Sequence, residues 1–594
     1  MFKQNSHIAF ALPFWSVFLL HNNLLLGVDA GPLYSYVLGS FFLTTIQLIH
    51  SFKNNSSGYF SFSKTDLALL IFALIWMGSY LLYFPPLGDF KFTYFLASLL
   101  YYFVFRQSGS ALFKNPGFLL LAIVIPCLLQ SVLAIAQFIT ITRLHHAGSI
   151  AGTLYNSNPL AMYLSVGLIT AIAIYKNKWG YKLFVQITIF VSIIVLLLSN
   201  ARTAWLGVAA SLLLFLWEDI RKMVADWSNR INRTVLYGFV VLIGIPGVLF
   251  LWYYKPYSAL GRAYIWEISL RAIFDKPFFG WGSEQFAVVY NYYQQLYFIK
   301  NPDSPFSFLA NDRGMAFNEW IRIALENGVT GLAFFVIAIG SASVSSWRNK
   351  SFSTDITLMI FICLITECFF SYPLNIPSIR LLFISSLAAL SSLSSPVISI
   401  RVPAYRTKIQ YGFILIGTVA LLSVHAKQYV IYLEWKKNID HRQSKADQKL
   451  IQYQKFYPEL KGYTNYLYNY ADELSKHGEY AKSNVILNQV ITKMNTVDIH
   501  MRRGDNNYNL GLYEKARGDF MYAKNLMPIK LTPRHWLVKT NNAMGHVDDA
   551  CQETEKLLTM TVKVPSFEAE EILEEAEQYR ISHCDSLTTE HIEK

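Results

Sequence analysis

The sequence predicts an all-α, polytopic helical membrane protein with about 12–13 transmembrane helices, one large loop between spans and a C-terminal α-helical repeat domain. Three observations carry this prediction. Hydrophobic residues make up 53% of the 594 residues and charged residues only 15%, where soluble chains hold nearer a quarter charged. Up to about residue 425 the apolar residues gather in runs of roughly 17–25, the length an α-helix needs to cross hydrocarbon. Beyond that point the chain turns polar, and glycines recur at 478, 511 and 545.

The runs place spans near 8–28, 30–50, 66–84, 90–106, 117–141, 159–175, 181–199, 203–217, 234–253, 322–343, 355–371, 378–396 and 409–425. The first is interrupted by His21, Asn22 and Asn23 and has no small-residue cleavage site, so it reads as a retained span and not as a signal peptide. This divides the chain into a transmembrane domain, residues 1–425, with a large loop at 254–321, and a soluble domain, residues 426–594.

Lysine and arginine set the orientation. With the N-terminus in the cytoplasm, seventeen fall in inside segments, and only Lys91, Arg143, Arg202 and Arg380 fall in short outside loops. That is the bias of the positive-inside rule. The long loop and the tail then lie outside the cytoplasm. The net charge of +12 is accounted for by these basic inside segments and does not point to nucleic acid. Cys127, Cys363 and Cys368 fall in apolar runs, leaving Cys551 and Cys584 as the only soluble pair. In the tail, Gly478–Tyr480, Gly511–Tyr513 and Gly545–Val547 begin similar stretches, with Ala516, Ala523 and Pro528 at small-residue and terminator positions. Their spacing is the tetratricopeptide period. A single repeat of that kind cannot bury its own face, and the tail reads as an assembly or docking module.

Polar groups at membrane depth are costly, so those at outer span ends stand out. Arg202 follows Ser199-Asn200, and Arg262 lies in the run Gly261–Trp266 at the start of the long loop. A guanidinium stays charged and grips phosphate oxygens in bidentate fashion, although either residue can also merely anchor a span end. The segment Gly152–Pro159 contains Asn156 and Asn158 and opens a span. Its free backbone N–H groups can receive an anion or simply be capped. Phe317–Trp320, followed by Glu326–Gly328 and Gly331, marks the return of the loop to the membrane.

Gly152–Pro159, Ser199–Trp205, Gly261–Trp266 with Pro277–Gly282, Asn318–Gly331 and finally Ser371–Leu374 occur in this order. As a set, covering roughly residues 120–400, they resemble bacterial O-antigen ligases, whose superfamily includes O-antigen polymerases and protein O-oligosaccharyltransferases. The resemblance implies a metal-independent, inverting transfer, without a cofactor, of an undecaprenyl-pyrophosphate-linked glycan. The acceptor hydroxyl would belong to lipid A core or to a protein Ser/Thr on the periplasmic face of the inner membrane. It implies catalytic and pyrophosphate-binding roles for Arg202 and Arg262, and substrate contacts by Asn156, Asn158 and Asn318. Independently, the sequence contains no Asp-x-Asp motif, which argues against a metal-chelated sugar nucleotide.

One departure is plain. Ligases of this family carry His-x-His-Asn where this chain has Met315–Asn318, and no histidine occurs between His146 and His425. Glu319 is one candidate for the missing base, and His145 and His146 are others; loss of catalysis is a third outcome. Polymerization of repeat units is the alternative within the superfamily. Outside it stand a lipid-linked glycan transporter, which should show paired broken helices in related halves, and a non-catalytic envelope assembly protein. A protein partner held by the repeats is compatible with each.

Overall fold

The computed structural model describes residues 58–585 apart from 84–89, 113–114, 145–149, 155, 179, 217–255, 313, 349–351, 441–445 and 564, with scattered residues before 58. The predicted spans 8–28, 30–50 and 234–253 fall wholly or mostly outside the described residues, as do His145 and His146. The chain forms two compact units: residues 1–256 with 317–433, and residues 257–316 with 434–594.

The first unit contains α1 (Lys64–Leu81), α2 (Phe90–Leu112), α3 (Ile125–Leu144), α4 (Ser157–Lys176), α5 (Lys182–Ser199) and α6 (Arg202–Phe215). After the interruption come α9 (Glu319–Arg348), α10 (Phe352–Phe370), α11 (Pro377–Ser391) and the start of α12 (Ala404–Asp440). Five helical stretches, Lys64–Leu81, Gly117–Arg143, Ser157–Lys176, Lys182–Ser199 and Glu319–Trp347, are long and apolar enough to cross a membrane. These helices coincide with predicted spans, because in hydrocarbon a helix is the way a single segment satisfies its own backbone. The all-α, polytopic membrane class is therefore the class observed.

α4 is buried on nearly every side, as expected of a helix apolar all round. Small residues let its neighbours approach. A Cβ at Gly167 would meet Cys127 Sγ at 2.2 Å, and one at Gly207 of α6 would meet Cys363 Sγ of α10 at 2.9 Å. Close backbone approach of this kind is how helices pack where the surroundings are as apolar as the side chains.

One end of this unit is tied by Asp66. Ser63 and Asp66 form a capping box at the start of α1, the Ser63 N–H donating to Asp66 Oδ2 at 2.6 Å. The same carboxylate, fully buried, pairs with Arg106 of α2 at 2.8 Å and accepts Tyr102 Oη–H at 2.8 Å and Ser391 Oγ–H of α11 at 3.0 Å. Beside it, β1 (Gly58–Ser63) and β2 (Pro396–Val402) pair antiparallel from Gly58 opposite Val402. The sequence reading placed loops there. Both segments alternate in β fashion, but their partners lie more than 300 residues apart, beyond the reach of a local pattern.

The second unit joins the long loop to the tail. The loop contributes α7 (Pro256–Asp275) and α8 (Phe286–Lys300). The tail contributes α13 (Ala446–Leu460), α14 (Thr464–Lys476), α15 (Tyr480–Ile491), α16 (Val497–Asn509), α17 (Tyr513–Leu526), α18 (Leu531–Ala543), α19 (Val547–Leu558) and α20 (Phe567–Tyr579). Gly478, Gly511 and Gly545 end α14, α16 and α18 with φ of 76°, 70° and 78°, the left-handed C-terminal turn that glycine makes without strain. Each lies in the short turn between two helices. Ala516 and Ala523 are fully buried between helices. Cys551 of α19 and Cys584 form a disulfide, the pairing left over by the count of cysteines.

Polar side chains fasten the loop to the tail within this unit. Asn291 of α8 donates to Asn495 O at 2.7 Å, Gln294 donates to Leu526 O at 2.9 Å, and Asp312 accepts the Val497 N–H at 3.2 Å. Burial raises the Asp312 carboxyl to about 6, with Asp498 adding to the shift and the Val497 N–H and Lys530 opposing it. A carboxyl whose folded value is raised binds its proton more tightly folded than unfolded. Stability of this unit should therefore fall as pH rises from about 4 to about 6 and then level off. Asp312→Asn keeps an acceptor for Val497 but removes the titration. Its denaturation midpoint should gain on that of the wild type across that window; parallel pH profiles for the two proteins would refute the assignment.

Candidate functional site

At the end of the first unit opposite Asp66, several short polar segments meet. α4 begins with Asn156 as N-cap, its side chain accepting the Asn158 N–H at 3.3 Å. Asn158 Nδ2 in turn donates to Ser371 Oγ at 2.8 Å, just beyond α10. The preceding turn is held from α3. Gln137 Oε1 accepts the N–H groups of Ala151 and Gly152 at 3.0 and 2.8 Å, while Gln130 Oε1 accepts that of Thr153 at 3.0 Å. Gly152 has φ of 60°, and a Cβ there would meet Gln130 Oε1 at 2.3 Å, so this turn requires glycine. The backbone N–H groups expected to be free for an anion are thus engaged within the protein. Gln130 and Gln137 escaped the sequence reading; two glutamines seven residues apart, on one face of an apolar span, were the available signal.

α9 starts at the same end. Asn318 caps it, accepting the Ile321 N–H at 3.0 Å. Glu319 is 1% exposed, and both its oxygens are engaged: Oε1 accepts the Leu374 N–H at 2.9 Å, and Oε2 pairs with Arg322 at 2.7 Å. Arg322 also reaches Glu326 at 3.2 Å. Phe317, at a position where the ligases resembled have histidine, adopts a left-handed φ of 52°, uncommon for a bulky residue. Its ring meets Tyr372 edge-on at 5.3 Å. Arg380 of α11 donates from Nε to Leu374 O. Gly328 breaks α9 with φ of 69°, where the loop returns to the membrane unit.

Arg202 opens α6 after a reversal at Asn200, which has φ of 56°, a conformation asparagine tolerates. Trp205 Nε1 donates to Leu196 O at 3.2 Å and closes this corner. Gly207 lies against Cys363, and Ser211 donates to Met359 O at 2.9 Å. These steps run antiparallel, which places the first turn of α6 at the Ser371 end of α10. Asn156, Asn158, Asn318, Glu319 and Arg202 are therefore gathered at one end of the unit, with the N-termini of α4, α6, α9 and α11. Four helix N-termini, whose dipoles favour negative charge, thus share this end with the Arg202 guanidinium and the buried Glu319 carboxylate.

Arg262 stands in the second unit, on α7. Tyr264 is buried on that helix and stacks on Phe306 at 5.1 Å, while Trp266 Nε1 donates to Ala316 O at 3.1 Å. Gly280 and Gly282 take φ of 70° and 111°, and Trp281 Nε1 between them donates to Ala272 O at 2.7 Å. The Pro277–Gly282 motif is thus the turn that folds back onto α7. Among the described residues no three His, Cys, Asp or Glu side chains converge as metal ligands would.

Glu319 and Arg322 should behave as one element. Removing one partner of a buried ion pair leaves the other charge uncompensated, at a cost of about 3 kcal/mol. Glu319→Gln and Arg322→Gln should each lower the melting midpoint in detergent, and the double variant should lose far less than the two combined. Simple additivity in that cycle would show the pair to be uncoupled.

Residues 187–336 match the O-antigen ligase family. The matched stretch contains Arg202, Arg262, Asn318 and Glu319, while Asn156, Asn158 and Ser371 lie outside it. No curated protein matches the chain. Over residues 187–336, and on the ordered motifs within them, the chain is similar to the O-antigen ligase family.

Proposed function

We propose that this protein transfers an undecaprenyl-pyrophosphate-linked glycan to an acceptor hydroxyl, of lipid A core or of a protein Ser/Thr, at the periplasmic face of the inner membrane. The observation that carries this reading is the convergence at one end of the membrane unit. There the motifs around Asn158, Arg202, Glu319 and Ser371 meet among four helix N-termini.

In this reading the acceptor oxygen attacks the anomeric carbon as the bond from that carbon to the phosphate oxygen breaks. Configuration inverts, and the lipid pyrophosphate leaves with the bonding electrons. The negative charge gathering on it is the quantity to be stabilised, and fixed cations in a water-poor site do this best. Arg202 and Arg262 are assigned that task, with bidentate contact to phosphate oxygens. Asn156, Asn158 and Asn318 border the substrate. Glu319, engaged on both oxygens, is assigned as a positioning residue that keeps Leu374 and the start of α9 together. With Phe317 in place of the family's histidine, leaving-group stabilisation carries the larger share of the barrier, and the acceptor proton is lost to solvent or to the departing pyrophosphate.

Support for a periplasmic tail comes from two directions. Basic residues are biased to the other side of the membrane, and the Cys551–Cys584 disulfide is of a kind that persists in oxidising compartments. Thiol labelling of denatured protein from intact cells, without reductant, should modify Cys127, Cys363 and Cys368 but spare Cys551 and Cys584. Labelling of all five in freshly quenched cells would place the tail in a reducing compartment.

Activity on purified lipid-linked donor in membranes tests the chemistry. Losing about 3 kcal/mol of transition-state stabilisation slows a reaction by roughly two orders of magnitude. Arg202→Ala and Arg262→Ala should each show such a loss at normal expression, and Arg262→Lys should be impaired too, since an ammonium lacks the planar fork. Wild-type turnover in both alanine variants would remove the basis of the reading.

A further inference from the structure

Arg380 has no part in the transfer chemistry set out above, yet it is held as a binding group is held. It stands in the first turn of α11, at the end of the membrane unit where Asn158, Glu319 and Ser371 gather. Its Nε donates to Leu374 O, and its guanidinium carbon lies over the Tyr94 ring of α2, 4.3 Å from the centroid. Leu374 is itself fixed, because its N–H donates to Glu319 Oε1 at 2.9 Å. A carbonyl at one edge and a ring against one face give the guanidinium a single orientation. An arginine that merely anchors a span end extends its head into water instead.

The bonds made leave most of its donors unspent. A guanidinium has five N–H groups, and the Leu374 bond uses one. The terminal nitrogens have no partner among the described residues, and no carboxylate there pairs with Arg380. Glu319 and Glu326, the acids of α9 at this end, are both turned to Arg322. Ser378 repeats the pattern in the same turn. It is 5% exposed, and its Oγ has no hydrogen-bond partner, whereas buried polar groups are as a rule paired. α11 also opens without a side-chain cap. Side chains of a first turn lean toward the N-terminus, where the helix dipole favours negative charge. A planar fork and a hydroxyl at one helix mouth match an acceptor with several oxygens, and phosphate is such a group.

This place is distinct from that of Arg202. α6 meets α10 through Ser211 at Met359 and Gly207 at Cys363, whereas Phe383 of α11 meets Phe361, ring centroids 5.3 Å apart. Phe361 is two residues from both Met359 and Cys363, about 200° around the helix, so α6 and α11 flank α10 on opposite sides. Packed helix axes lie about 8–10 Å apart. The end of α10 therefore stands between Arg202 and Arg380, and the ties to Leu374 and Tyr94 keep Arg380 from crossing it.

We propose that Arg380, with Ser378, forms a subsite for a phosphate group other than the donor's pyrophosphate, carried by the acceptor or by the glycan being moved. Phosphate binding stands on the geometry of α11 alone; its use by a substrate rests on the transfer reading.

Melting of full-length protein in detergent, in phosphate and in chloride at equal ionic strength, tests the binding. Arg202→Ala and Arg262→Ala are combined to silence the pyrophosphate positions. A ligand that binds only the folded state raises its melting midpoint. Phosphate should therefore still stabilise the double variant, and adding Arg380→Gln should remove that gain. Arg380→Lys keeps a cation at the span end and so preserves the fold, but without the planar fork it should lose most of the gain as well. Ser378→Ala should lose part of it. A gain kept in full in Arg380→Gln or Arg380→Lys would overturn the proposal. Transfer kinetics in membranes test the use. Arg380→Gln should raise KM for one substrate about tenfold with kcat little changed, for the acceptor if that carries the phosphate and for the donor if the glycan does. An unchanged KM for both would overturn the assignment to a substrate. Wild-type protein that transfers no glycan, while Arg380 still governs the phosphate gain, would refute the transfer reading and leave the binding site standing.

Discussion

Glu319, almost wholly buried at the start of α9, gives one oxygen to the Leu374 N–H and the other to Arg322. This single carboxylate joins three parts of the chain that would otherwise be independent: the return of the long loop, the first turns of α9, and the short segment between α10 and α11. A buried charge without partners costs several kcal/mol, so the geometry that supplies both partners is strongly preferred over any that supplies one. Ser371, in the same segment, then receives Asn158, and the start of α4 is brought in by the same chain of contacts. The helices gathered by this junction all point their N-termini the same way.

The opposite end of the membrane unit uses the same device. Asp66 is fully buried and satisfied by Arg106, Tyr102, Ser391 and its own capping box. Between these two polar anchors the helices pack through small residues, Gly167 against Cys127 and Gly207 against Cys363. Packing of that kind gives close contact but little specificity of register. The carboxylates at either end supply the specificity, because each is satisfied in one arrangement only.

The loop and the tail, separated in sequence by the last spans, share one compact unit. The connection is polar: side chains of Asn291, Gln294 and Asp312 engage backbone groups of the repeats. Helix ends and inter-helix turns have backbone groups without intrahelical partners, and the loop supplies some of them. The repeats therefore do more than stack on one another. They also hold α8 and the end of the long loop, through Asn291, Gln294 and Asp312.

Much was legible in the sequence where the governing free energy is local and additive. Apolar runs such as 159–175 and 181–199 became α4 and α5, because each residue's transfer into hydrocarbon contributes independently and the helix satisfies its own backbone. Gly478, Gly511 and Gly545 marked the repeat turns because a left-handed residue is required after each helix. The ordered motifs pointed to the family that residues 187–336 match, and Asn156, Asn158, Asn318 and Glu319 do lie together at one end of one unit. What could not be read was the identity of partners. The glutamines that take up the N–H groups of residues 151–153, the Arg322 and Leu374 bonds that occupy Glu319, the β1–β2 pairing and the docking of loop on tail all join residues distant in sequence or choose among equivalent local donors. Composition and periodicity by themselves marked the apolar runs that form the five described helices long and apolar enough to cross a membrane. Only the tertiary structure decided which polar group meets which, because a hydrogen bond or ion pair has its value within a few tenths of an ångström of one geometry, and that geometry exists only once the whole fold has formed.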